Sequence, residues 1–280
     1  MKTAAVSLLT IILLSFSGAQ AEELEMINRP VNTNGLTGLL FTTAPYTLAP
    51  GTIETGFTIM SEDSAVPSYT STEYRASVSA GLGHNMEFSL IESYFHKKTN
   101  ITTNAKERGS GDAELSLKWN FRPQSEDSLM PALALLISAV FPTGDKDQQF
   151  NQVNNWGARI GLSAGSEISW EDHVIGVYAD AQAAVRDLSN SLYRDRYGLM
   201  NAGILLPISK QRNLQLFIEY SFIGGKNVTG VYGLDYSAMS YGLRMVSERV
   251  NLSMGTQFMQ KQIDGYDNSG KVIGTLSIKY

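Results

Sequence analysis

Residues 270–280 read GKVIGTLSIKY, with Val272, Gly274, Leu276, Ile278 and Tyr280 on one side of an extended chain and Ile273, Thr275, Ser277 and Lys279 on the other. A period of two is the period of a strand, so this stretch has one apolar and one mixed face. It closes on an aromatic residue with no polar tail. A soluble edge strand would have to cover such an apolar face, whereas a strand that meets lipid would not.

The same alternation recurs upstream. Ala113, Leu115, Leu117, Trp119 and Phe121 interleave with Asp112, Glu114, Ser116, Lys118 and Asn120. Leu214, Leu216, Ile218, Tyr220 and Phe222 interleave with Gln215, Phe217, Glu219 and Ser221. Turn signals divide the chain into about twelve such strands, near 51–60, 72–81, 86–96, 111–121, 131–142, 155–165, 173–186, 194–206, 213–223, 235–246, 250–261 and 271–280. Their length of about ten residues suits a tilted bilayer crossing better than a sandwich, whose strands run to about five or six.

The connections agree. SEDSAVPSYTST, KKTNITTNAKERGS, TGDKDQQFNQVN and GGKNVTGVYGL are long and polar, and they alternate with the shorter GLGHN, PISKQR and SER. RPQSEDSLM is an exception, longer than a tight turn. Long external loops and short periplasmic turns mark outer-membrane barrels. With the first strand rising from the periplasm, Tyr74, Tyr94, Phe141, Trp156, Tyr197, Phe222 and Phe258 are expected near the outer interface. Trp119, Phe121, Trp170 and Tyr280 are expected near the inner one, giving two aromatic girdles. The expected fold is all-β: a closed antiparallel transmembrane β-barrel of about twelve strands.

Composition sets the class. The 280 residues carry a formal net charge of −5, 18% charged residues and no Cys, and the mean hydropathy is −0.11. The positive charges are scattered, which speaks against a nucleic-acid partner, and thiolate chemistry is excluded. MKTAAVSLLTIILLSFSGAQA has a basic Lys2, an apolar run and a small-x-small ending at Ala19–Ala21, so residues 1–21 are expected to be a cleaved signal peptide. Residues 22–50 show no clear alternation and are expected to form a periplasmic or plug segment, with 51–280 as the barrel in the outer membrane of a Gram-negative cell.

On these registers Arg75, Lys118, Arg159, Arg186, Arg196 and Arg244 are expected to face inward, with Glu54, Glu87, Glu114, Asp180 and Glu219. Twelve strands lie between the eight that side chains fill and the sixteen that leave a wide channel, so a narrow pore lined by both charge signs follows. Strict alternation turns Glu92 toward lipid unless a bulge or an interfacial position relieves it, and leaves the facing of Asn201 open. No catalytic, cofactor-binding or metal-binding residue is expected. His84 and His173 fall in or beside turns and His96 ends a strand, with no nucleophilic Ser two residues away. Asp145 and Asp147 alternate in a polar loop, a weak signal for a cation.

GDAELSLKWNF (111–121), followed by PALALLISAVFPTGDKD (131–147), resembles the strand–turn–strand core of the "MetA-pathway of phenol degradation" transporter-like family of outer-membrane proteins. The resemblance implies an outer-membrane barrel that passes small organic or aromatic compounds. NGLTGLLFTTAPYTLAPGTIETGF (34–57) also resembles the leading segment of other outer-membrane barrels, some linked to exopolysaccharide export. The terminal pattern of Leu276, Ile278 and Tyr280 resembles the signal read by the barrel-assembly machinery, with Tyr where that signal more often has Phe. The expected partners are therefore outer-membrane lipid, that machinery and a small solute. The alternatives are a closed structural or envelope-assembly barrel acting through its loops, and a lipid-modifying barrel enzyme.

Overall fold

A computed structural model of the chain describes residues 27–64, 69–99, 106–124, 130–145, 153–170, 173–187, 194–209, 211–227, 236–261 and 269–280. Every element named among them is a strand: β1 (Ile53–Ser64), β2 (Tyr69–Gly83), β3 (Met86–Thr99), β4 (Lys106–Ser110), β5 (Ala113–Arg122), β6 (Ala132–Phe141), β7 (Gly157–Trp170), β8 (His173–Arg186), β9 (Arg194–Pro207), β10 (Leu214–Asn227), β11 (Tyr236–Val246), β12 (Val250–Lys261) and β13 (Ser269–Lys279). Each pairs antiparallel with its neighbours, and β13 pairs with β1 from Glu54↔Lys279 to Ser64↔Ser269. Backbone bonds Tyr280 N→Ile53 O (2.8 Å) and Ile53 N→Tyr280 O (3.2 Å) finish the seam. Closure leaves no open edge in the twelve-strand wall among the described residues; β4 alone pairs on one side only, with β3.

The wall holds twelve strands in circumference, plus one extra piece. The span 111–121, expected as one strand, begins later and is preceded by β4: β3 pairs with β5 over Met86–Ile91 and with β4 over Tyr94–Lys98. The break falls at Gly111–Asp112, where the Asp112 carboxylate accepts the amides of Gly144 and Val153, both at 2.8 Å. A Cβ on Gly111 would stand 2.6 Å from Cε2 of Phe95 and 3.1 Å from Cβ of Ser93, so a larger residue there would have to push the Phe95 ring aside. Short turns close one end. In the β2–β3 turn His84 (φ 50) and Asn85 (φ 57) both have positive φ, as a two-residue hairpin turn requires. The other end carries the longer connections, so the two are called the turn end and the long-loop end.

Outward positions are apolar and exposed. Val272, Leu276, Ile278 and Tyr280 of the terminal stretch lie there with Phe57, Leu162, Ile218 and Met254. Tyr94, Phe141, Trp156 and Phe258 are exposed toward the long-loop end, and Trp119, Phe121 and Tyr280 toward the turn end. Tyr74 stacks on Phe57, ring centroids 6.3 Å apart. The side chain of Trp170 lies outside the described residues.

Two facings required correction, and both follow from one pairing. Asp180 stands directly opposite Asn201, and the Asn201 side-chain amide donates to both Asp180 oxygens at 3.1 and 3.2 Å. Asn201 therefore points inward, and counting back by twos puts Tyr197 inward as well. Tyr197 is not a girdle residue. Arg196, expected in the lumen, is exposed on the outer face, opposite the exposed Val185. Glu92 points outward opposite Ala76 with no register shift on the β2 side; on the other side the pairing of β3 stops with β5 at Ile91 and resumes with β4 at Tyr94.

The core of the molecule lies inside the barrel. Ile27, Leu39, Leu40, Ala44 and Tyr46, from the stretch before β1, cluster with wall residues Met60, Val174, Tyr178, Leu205, Phe217 and Ile273. Residues 27–48 are nearly all buried and form two tight loops, marked by the bridges Val31↔Thr37 and Gly38↔Thr43. Asn32 makes the first loop: its side-chain oxygen accepts the amides of Asn34 (2.8 Å) and Leu36 (3.2 Å), and Gly35 takes φ 70. This stretch is called the lumenal segment.

Candidate functional site

A peptide placed inside a barrel must satisfy its backbone groups without a strand partner. Here the wall does so with charge. Glu219 accepts three successive amides, Leu40 N at 3.1 Å, Phe41 N at 3.0 Å and Thr42 N at 2.7 Å. Asp180 accepts Thr43 N at 2.8 Å. Glu87 accepts Thr37 N at 2.7 Å and Leu48 N at 3.0 Å, and Glu54 accepts Val31 N at 3.2 Å.

Cations take the carbonyls. Lys118 Nζ donates to Ala44 O (3.2 Å) and Thr37 O (3.3 Å) and lies 3.1 Å from Glu87. Arg244 donates to Gly38 O at 2.9 Å and to Ser253 Oγ at 3.1 Å. Hydrogen bonds to ionised groups contribute about twice what neutral ones do. At the turn end Arg29 pairs with Glu167 and lies 3.9 Å over the Tyr46 ring, while Tyr178 donates to Glu167 at 2.8 Å.

The wall is also carved to receive the segment. A Cβ on Gly203 would lie 2.4 Å from Leu39 Cδ1 and 3.0 Å from Glu219 Cγ. One on Gly165 would lie 3.0 Å from Pro45 Cδ and 2.5 Å from Tyr178 Cδ1. Close backbone approach is what glycine in a strand supplies.

Apart from Arg196, which faces outward, the residues expected to line a pore divide into two groups. Lys118, Asp180, Glu219 and Arg244 are buried beneath the segment. Arg75, Glu114, Arg159 and Arg186 face a cavity beyond it, on the long-loop side. There Arg159 pairs with Glu114, and Arg75 lies 2.6 Å from Glu73 and donates to Thr33 O at 3.1 Å.

Reading the sequence put Glu54 and Glu87 inward but missed Arg29, Glu167 and Tyr178. Their signal was present in the inward-facing glycines, which are wasteful in a strand unless another backbone comes close. His84 and His96 stand at opposite ends of the barrel, the side chain of His173 lies outside the described residues, and so does Asp147.

No family model matches the sequence, and no curated protein is detectably similar to it. Solved structures are. The chain superposes on an outer-membrane channel from Pseudomonas putida F1 with a TM-score of 0.64, over 84% of this chain and 98% of that one, at 10% identity. It has an outer-membrane β-barrel fold. LpxR from Salmonella typhimurium is also similar, with a TM-score of 0.51 at 12% identity, over 80% of this chain and 99% of that one. At such identities the likeness is one of architecture. The phenol-degradation family resemblance carried by residues 111–121 and 131–147 has no matching family model beside it.

Proposed function

We propose that the protein is a passive outer-membrane channel for small solutes, with the lumenal segment seated as a removable stopper in its periplasmic half. One observation carries this reading. The segment is held through its backbone, by wall carboxylates and cations that would be hydrated if it left. The turn end is then periplasmic, residues 1–21 are the export signal, and Leu276, Ile278 and Tyr280 are the assembly signal. The channel fold from Pseudomonas putida F1 supports the reading, and the family resemblance suggests small organic or aromatic solutes. Withdrawal exposes Leu39, Leu40 and Tyr46, so the closed form is expected to dominate.

A second reading has an observation of its own. Lys118, Arg244, Glu219 and Glu87 are each at most 1% exposed and fully engaged, as in a barrel that stays closed and acts through its loops. Liposome swelling separates the two. The mature protein and a variant lacking residues 27–48 are reconstituted and challenged with small sugars and amino acids. Swelling that rises sharply on deletion supports the channel. A folded, heat-modifiable deletion variant that admits nothing supports the closed barrel.

A further inference from the structure

Beyond the lumenal segment the barrel keeps a cavity of about 210 Å³ on its long-loop side. The segment contributes Thr33, Asn34 and Phe41 to it, and Arg75, Arg159 and Arg186 reach in from β2, β7 and β8. We propose that this cavity binds small monocarboxylates carrying an apolar or aromatic body. The proposal deepens the channel reading by naming what would enter. It rests on that reading only for transport, since binding needs no open pore.

Matching the ion pairs around the cavity leaves one guanidinium without a carboxylate. The Asp112 carboxylate is occupied by the amides of Gly144 and Val153. Glu114 is occupied by Arg159 and by Ser116. Arg75 has Glu73 and Lys271 has Glu62. Arg186 differs. Its guanidinium lies 4.6 Å over the Tyr197 ring and donates to the Tyr197 hydroxyl at 2.6 Å, and among the described residues no carboxylate pairs with it.

Arg186 stands opposite Gly157 and so diagonal to Arg159 on the neighbouring strand, and both arginines line the cavity. An anion between them would offset their repulsion. Two more donors in the wall, Nε of Arg159 and Oγ of Ser221, have no hydrogen-bond partner among the described residues. A guanidinium offers paired N–H groups that match a carboxylate. The rest of the lining includes Phe41, Leu199 and Ile223, which suit an apolar body. Among the described residues a cationic solute would meet Asp112 and Glu114, acids that already have partners.

Benzoate is a suitable probe because it is soluble and partitions little into detergent. Calorimetric titration of the mature full-length protein is run with benzoate, benzyl alcohol and benzylamine at low salt. Benzoate is expected to bind roughly tenfold more tightly than the other two. R186Q is expected to lower that affinity about tenfold, while R186K, which keeps the charge, loses less. The heat-modifiable gel shift verifies that each variant is folded.

Equal binding of benzoate and benzyl alcohol by the wild-type protein would overturn the proposal without any variant. So would unchanged benzoate affinity in R186Q. Conductance without benzoate binding would remove this site and leave the channel standing. Benzoate binding to a barrel that stays electrically silent after residues 27–48 are deleted would keep the site and remove the channel.

Discussion

Oε1 of Glu219 lies 2.7 Å from the amide nitrogen of Thr42, two residues separated by 177 positions in the chain. The same carboxylate accepts the amides of Leu40 and Phe41, so one wall side chain gathers three consecutive peptide donors. A contact made to the backbone fixes where the segment sits and depends little on its side chains. E219A is expected to leave those amides unpaired and weaken retention of the segment by about 3 kcal/mol. Limited proteolysis of the purified protein checks this: cleavage within residues 27–48 should quicken while the barrel stays resistant. Unchanged protection would mean that the contact holds nothing.

Lys118 and Glu87, each with no exposed side-chain surface, are 3.1 Å apart. Removing either one leaves a buried charge. K118M and E87Q are each expected to cost about 3–5 kcal/mol, and the double variant less than their sum. Urea titration of the folded band in lipid measures the cycle. Additive losses would show that the two act independently.

Gly203 offers a test of fit. Leu39 has no exposed surface into which to retreat, so G203V should expel the segment while the wall, whose outward face is unchanged, still closes. Leak through reconstituted vesicles is expected to rise, and L39G in the same chain should reduce it again. A G203V barrel that leaks no more than wild type would show that the segment shifts aside without leaving.

Glu92 is a cost without a visible return. It faces outward opposite Ala76, two residues short of the exposed Tyr94. Replacing it with Leu is expected to raise stability by about 1 kcal/mol. Lower stability of E92L, in the same urea titration, would show that Glu92 has a partner at the lipid boundary.

The barrel itself was legible because its evidence is periodic. Alternation around Leu276, Trp119 and Ile218 repeats with every strand, and a one-residue error anywhere would have turned apolar side chains inward. Where the pattern weakens, reading failed. At Arg196–Tyr197 an amphipathic aromatic and an arginine each suit either face, and only the pairing of Asn201 with Asp180 decides between them. The break at Gly111–Asp112 escaped notice because a carboxylate that caps two loop amides leaves no periodic trace. The lumenal segment is aperiodic by nature: its partners lie up to 251 residues away, as Lys279 does from Asn28, and sequence order carries no record of that.

Single-channel recording in a planar bilayer tests the central claim most directly, comparing the mature protein with the variant lacking residues 27–48. A stoppered channel gives rare openings in the intact protein and sustained steps of uniform size in the variant. Ion preference in the variant should then change on reversing the charge of Arg244, which faces the lumen, and not on reversing that of Arg196, which faces outward. A variant that folds, inserts and stays silent would contradict a channel blocked by its own N-terminal segment.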